Sequence, residues 1–160
     1  KATVYGFEWE LLKKLDIVHP LLQNFYVGGN YTWSQSNVQL NAQNLTAQTT
    51  NNRQLQGHSE HIVNFQIGYD NPIWKTQATL LYNVSSERIV AAGQLTAPDK
   101  YEKPFHQLDF VFSQNLYRGL SMQASMQNLL DDDVRVMQGD EISRQFRRGR
   151  FFNLSVRLAY

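Results

Sequence analysis

Four groups of residues in this 160-residue sequence have types and spacings that chemistry could use. His58 and His61, with Glu60 between them, suggest a metal or acid/base pair, but strand residues three apart point to opposite sides. Glu8 and Glu10 share a strand face about 7 Å apart, which superficially suits paired-carboxylate hydrolysis. Asp131-Asp132-Asp133 offers the carboxylates of a calcium loop without its Gly and its distant Glu. Arg144, Arg147, Arg148 and Arg150 could hold an anionic ligand by bidentate hydrogen bonds. There is no Cys, so thiol nucleophiles, thiolate metal sites and disulfides drop out together. Only the arginines remain as a candidate binding group. No catalytic residue, metal or cofactor is expected.

The elements that must position these residues are read from periodicity. Tyr5, Phe7, Trp9 and Leu11 alternate with Val4, Gly6, Glu8 and Glu10, a period of two that predicts a strand. Six further runs repeat it, within 24–34, 61–69, 74–84, 107–113, 120–127 and 152–160. Pro20 makes 11–22 a turn and not a helix. The reading is all-β and antiparallel, with about seven strands of roughly ten residues, where strands of soluble proteins average nearer five or six. One face collects Phe7, Val27, Phe65, Leu80, Phe110, Met122 and Leu154. The other collects Glu8, Glu10, Asn64, Gln66, Lys75, Gln77, Asp109, Gln123 and Arg157.

Composition fits a sheet with one wet and one greasy face. Asn and Gln together, about 29 residues, equal the charged residues, and 12% of the chain is aromatic. A net charge of +1 leaves no electrostatic footprint for nucleic acid. No apolar run is long enough for a membrane-spanning helix.

The connections alternate in length. Those around 16–20, 70–72 and 117–119 are short, whereas 35–57, 88–103 and 131–148 are long and polar; 35–57 and 131–148 are expected to be extracellular and mobile. Short turns on one side and long loops on the other describe an outer-membrane barrel. Trp9, Phe25, Tyr69, Trp74 and Tyr160 would form an aromatic girdle at the short-turn side, and Trp33, Tyr82, Phe105 and Phe152 one at the long-loop side. In a soluble barrel of lipocalin type the apolar face would point inward instead. Seven strands cannot close antiparallel, and an open edge in lipid leaves backbone groups unpaired. Residues 1–160 are therefore expected to be an incomplete barrel, the end of a larger one whose earlier strands lie upstream.

Several motifs carry a family resemblance. Tyr5-Gly6-Phe7-Glu8-Trp9-Glu10 resembles the YGxExE strand of TonB-dependent outer-membrane receptors. Arg53-Gln54-Leu55-Gln56-Gly57-His58-Ser59 resembles their R-x-LQGQSP segment, with His58-Ser59-Glu60 departing from the usual QSP. Leu81-Tyr82-Asn83-Val84, Ala97-Pro98-Asp99-Lys100-Tyr101, His106-Gln107-Leu108-Asp109, Gln127-Asn128-Leu129-Leu130-Asp131 and Gly149-Arg150-Phe151-Phe152-Asn153-Leu154 follow in the same order. The whole set is similar to the last seven strands of such a receptor. The resemblance implies a 22-stranded transmembrane barrel, plugged by an N-terminal domain, that imports a scarce ligand such as a siderophore or carbohydrate with energy from the TonB complex. It implies a transporter and not an enzyme, located in the bacterial outer membrane. Its partners would be outer-membrane lipid and lipopolysaccharide, the latter at Arg144, Arg147, Arg148 and Arg150, and the plug, facing Glu8, Glu10, Asp109 and Arg157. The barrel-assembly machinery would read the final strand through Phe152, Leu154, Val156, Leu158 and Tyr160. A plugless pore, a surface-binding barrel or a soluble ligand-binding barrel are the alternatives.

Overall fold

The computed structural model describes residues 1–39, 52–117 and 119–159; Tyr160 and most of the 35–57 connection lie outside them. The described residues are all-β with antiparallel pairing throughout and no α-helix. The strands are β1 (Ala2–Lys14), β2 (Phe25–Gln39), β3 (Asn52–Arg53), β4 (His61–Asn71), β5 (Thr76–Ser85), β6 (Arg88–Ala91), β7 (Lys100–Glu102), β8 (Phe105–Asn115), β9 (Leu120–Gln127), β10 (Asp133–Gln138), β11 (Glu141–Arg147) and β12 (Phe151–Leu158). Seven of them form one meander in the order β1-β2-β4-β5-β8-β9-β12, with β3 extending the far end of β2. Two 3-10 turns around Pro20 link β1 to β2.

Register fixes both the faces and the tilt. One row of directly opposed residues runs Lys13, Val27, Ile67, Leu80, Phe110, Met126 and Phe152 across the seven strands. Lys13 lies one residue from the short-turn end of its strand, Phe110 five and Phe152 six. A climb of about five residues over six strand steps, roughly 16 Å along for 29 Å across, tilts the strands by about 30°. That approaches the 35–45° that barrel closure demands. The sheet stays open: the outer edges of β1 and β12 have no strand partner among the described residues.

The same register puts Phe7, Val27, Phe65, Leu80, Phe110, Met122 and Leu154 on one face, as the alternation predicts. The other is mainly polar, with Leu12, Leu81 and Val111 among its residues. Gly68 is required there because the Tyr26 ring lies across it, where a Cβ would collide, and reaches Thr79 on the next strand at 3.1 Å.

Two of the long connections carry strands that the alternation did not predict. Residues 88–147 contribute a second sheet, β11-β10-β7-β6. Its Ile89 and Val134 are each 1% exposed, and with Val136 and Phe105 they are the buried apolar side chains of the described residues. Arg88 pairs with Glu102 at 2.6 Å, and Lys103 with Glu87. Burial and the carboxylates of Asp99 and Glu87 raise the Tyr101 phenol above its ordinary value, so it stays protonated. The signal was present in Ile89-Val90-Ala91, a short apolar run, and Val134-Arg135-Val136, a short alternating one, which the polar composition around them masks. Two girdle assignments also change. Trp9 sits mid-strand opposite Tyr31, because β1 runs on to Lys14. Phe105 pairs with Ser85 on the polar-face side and is buried.

Ile89→Ala should cost roughly 2–5 kcal/mol by cavity formation and loosen the loop-side sheet selectively. Trypsin should then cut at Arg135 and Arg144 much faster than in the unsubstituted protein. Equal rates in both proteins would mean that this sheet has no folded core.

Candidate functional site

The candidate site is the polar face of the seven-stranded sheet. A register row there runs Glu10, Asn30, Asn64, Asn83 and Gln107 over five strands. The amides form a ladder with one direction. Asn83 donates to Asn64 Oδ1, Asn64 donates to Asn30 Oδ1 at 2.6 Å, and Asn30 donates to Glu8 Oε1 at 3.2 Å. The Glu8 carboxylate is the terminal acceptor, and its charge orients the amide dipoles behind it. The next row, Leu12, Gly28, Gln66, Leu81 and Asp109, leaves a gap at Gly28. Ladder and gap together enclose a cavity of about 320 Å³ lined by Glu10, Asn30, Asn64, Gln66, Asn83 and Gln107 among others.

Of the other cavities of the meander, one of about 480 Å³ at the edge of β1, lined by Thr3, Tyr5, Gln35 and Asn37, opens on the apolar-face side, and the rest open largely onto the polar face. One, near the short turns, is lined by Lys14, Tyr26, Gln66 and Asp70, and another by Ser113, Gln123, Ser155 and Arg157. The polar face is therefore the concave one. The convex face exposes Phe7, Trp9, Phe65, Leu80, Phe152, Leu154, Val156 and Leu158 in a continuous apolar surface. Near its long-loop end, Trp33 packs on Tyr5 and Phe7, and two Tyr–His pairs join neighbouring strands: Tyr31–His61 at 2.7 Å and Tyr82–His106 at 2.6 Å.

Each site residue read from the sequence has a definite place. Glu8 and Glu10 share the polar face, Glu8 bound into the ladder and Glu10 lining the cavity. Asp109 faces the same way, but its oxygens accept from the Asn128 backbone N–H at 2.8 Å and from Gln107 Nε2 at 2.9 Å. Its carboxylate anchors the corner after β9. Arg157 lies on the polar face, far from the ladder. Lys75 is in a turn with φ 51° and not within β5. Phe152, Leu154, Val156 and Leu158 share the apolar face of β12, and Tyr160 lies outside the described residues.

The four arginines are not gathered. Register sets Arg144 opposite Val136 and Arg147 opposite Asp133, on different faces of β11. Arg147 bonds Asp133 at 2.8 Å, Arg150 donates to the Leu129 carbonyl at 2.9 Å, and Arg148 lies 4.5 Å over the Phe105 ring. The histidine pair divides, because His58 lies in the irregular segment before β4 and His61 opens that strand. His58 bridges the hydroxyls of Ser34 at 2.7 Å and Ser36 at 2.9 Å, and His61 turns to Tyr31 on the apolar face. No group of three His, Asp or Glu among the described residues could hold a metal ion. Sequence reasoning missed Asn30, Asn83 and Gln107. Their alignment with Asn64 is a property of register, which for Asn83 could have been counted outward from the short turn between β4 and β5, but for Asn30 and Gln107 is set across long connections.

No protein-family model, curated protein or solved structure matches this chain.

Asn64→Leu removes the middle rung, leaving Asn83 without its acceptor and Asn30 with Glu8 alone, so on this open face it should cost about 0.5–1.5 kcal/mol. Glu8→Gln, which keeps an acceptor, should cost less. Denaturant titration of both proteins checks this, and a larger loss in Glu8→Gln would contradict the ladder. On the loop side, hydrogen bonds from Arg147 and Gln145 hold the Asp133 carboxyl below its ordinary value of about 3.8. A depressed value means the pair stabilises the folded form at higher pH and stops doing so as pH falls through the folded value. The protection of β11 amides, corrected for intrinsic exchange, should therefore fall as the pH drops below about 3.8 in the natural protein and show no such step in Asp133→Asn.

Proposed function

We propose that this chain is part of the barrel of a TonB-dependent outer-membrane receptor, a transporter that imports a scarce ligand such as a siderophore or carbohydrate. The observation that carries the reading is the polarity of curvature: the concave face is polar and the convex face apolar. A soluble ligand-binding barrel needs the reverse, with its apolar face packed inside. Monomeric soluble proteins rarely leave an apolar surface of this extent in water. Hydrocarbon is a solvent that rewards it, provided every backbone group is paired within the sheet.

In this reading the convex face meets outer-membrane lipid, and the aromatic cluster with its Tyr–His pairs sits at the outer interface, where rings with a polar tip are favoured. The concave face lines a water-filled lumen that a plug domain occupies, with Glu10 free to take a cation from it. The loop-side sheet stands outside the membrane, where Arg144, Arg147, Arg148 and Arg150 are within reach of lipopolysaccharide phosphates. The outer edges of β1 and β12 pair with further strands of the barrel. The assembly machinery engages the final strand through Phe152, Leu154, Val156, Leu158 and Tyr160. The chain performs no covalent chemistry; its work is to enclose and admit.

Arg at Leu80 or Phe110, near the middle of the apolar face, should cost roughly 2–4 kcal/mol for folding into lipid vesicles, and Arg at Gln77 on the polar face little. Equal losses on the two faces, or folding in water without lipid or detergent, would overturn the proposal.

A further inference from the structure

The polar face carries a second built region at its short-turn end, on strands remote from the amide ladder. A cavity of about 220 Å³ is lined there by Ser113, Asn115, Ser121, Gln123, Ser155 and Arg157 among others. A neighbouring hollow of about 250 Å³ shares Asn115, Ser121 and Arg157 and adds Lys75. Register makes the region a grid. Asn115, Ser121 and Arg157 form one row across β8, β9 and β12, and Ser113, Gln123 and Ser155 the next.

Two cations line the two hollows, and no Asp or Glu does. Arg157 has no ion-pair partner among the described residues. The hydroxyl protons of Ser113 and Ser155 are committed, to Gln77 Oε1 at 3.4 Å and Asn153 Oδ1 at 3.2 Å, so those oxygens are left to accept. The guanidinium, the Ser121 hydroxyl and the amides of Asn115 and Gln123 keep donors facing the cavity. The opposite end of the same face holds Glu8 and Glu10. The carboxylates of this face, Glu8, Glu10, Asp70 and Asp109, line other hollows or other strands and leave this region cationic.

The occupant this fits is anionic, and wider than one ion. A guanidinium takes a carboxylate through two parallel hydrogen bonds. Three adjacent strands span about 10 Å, more than one oxyanion fills and about the reach of three residues of extended chain. Ser, Asn and Gln both donate and accept, as a peptide backbone requires. We propose that the short-turn end of the polar face binds an acidic polypeptide segment, its carboxylate on Arg157 beside Lys75 and its backbone on Ser121, Asn115 and Gln123. The inference needs this face to be open to water and does not depend on what meets the apolar face.

The test uses the full chain folded in detergent micelles at low salt and a fluorescein-labelled peptide, Gly-Asp-Gly-Glu-Gly, against its amide twin, Gly-Asn-Gly-Gln-Gly. Anisotropy should show the acidic peptide binding about ten-fold tighter than the twin. Arg157→Gln should reduce its affinity to the level of the twin, Arg157→Lys should keep part of it, and Arg135→Gln on the loop-side sheet should change nothing. Circular dichroism confirms that each variant is folded before it is counted. Equal binding of the two peptides, or equal losses in Arg157→Gln and Arg135→Gln, would overturn the proposal. Displacement of the peptide by an equal concentration of inorganic phosphate would make a free oxyanion the occupant and overturn the peptide assignment.

Discussion

Backbone N–H and C=O groups removed from water must be paired, and seven strands of this chain pair theirs in one antiparallel ladder from β1 to β12. Each strand is displaced from its neighbour by about one residue, so the ladder cannot lie flat and square; it tilts and curves. Because side chains alternate with a period of two, curvature sorts them: alternate residues converge on the concave side and the others spread on the convex side. Everything specific to this molecule follows from which residues the sequence assigns to each side. Polar residues converge and apolar residues spread.

That assignment explains where burial occurs. The side chains of Ile89, Val134, Val136 and Phe105 are buried on the loop side, whereas the aromatic and aliphatic residues of the meander remain open on its convex face. The meander is held by backbone pairing and by cross-strand contacts such as Tyr26 lying over Gly68 and the chain from Asn83 to Glu8. Only the loop-side sheet has an interior of its own. In the reading proposed above the apolar face is covered by a second medium, and the concave face, lined by amides, hydroxyls and charge, by water or a polar partner.

The fold was legible in proportion to how far alternation alone determines it. Seven runs and their faces could be read directly, since a strand wetted on one side must alternate, and Phe65, Leu80 and Phe110 fall where alternation puts them. The loop-side sheet could not, because β6 and β7 are four and three residues long, and runs that short carry too few periods to stand out from polar surroundings. In the site, Glu8, Glu10 and Arg157 were legible by face. Asn30, Asn83 and Gln107 were not, because a ladder depends on register between strands. Spacing within a strand says nothing about height relative to the next. The arginines looked like one group because they are close in sequence, yet a strand sends neighbours to opposite faces, and Asp133, Leu129 and Phe105 draw three of them apart.

The central claim is that the convex face of the meander meets lipid while the concave face meets water. With no native Cys, single cysteines carrying a spin label can be placed one at a time from Val63 to Tyr69 and from Ala78 to Val84 in protein folded into vesicles. Collision with oxygen, which concentrates in lipid, and with a water-soluble nickel chelate should alternate out of phase, oxygen favoured at Phe65, Ile67, Leu80 and Tyr82 and the chelate at Asn64, Gln66, Thr79 and Asn83. Alternation in the opposite phase, or chelate access to both faces, would contradict the account.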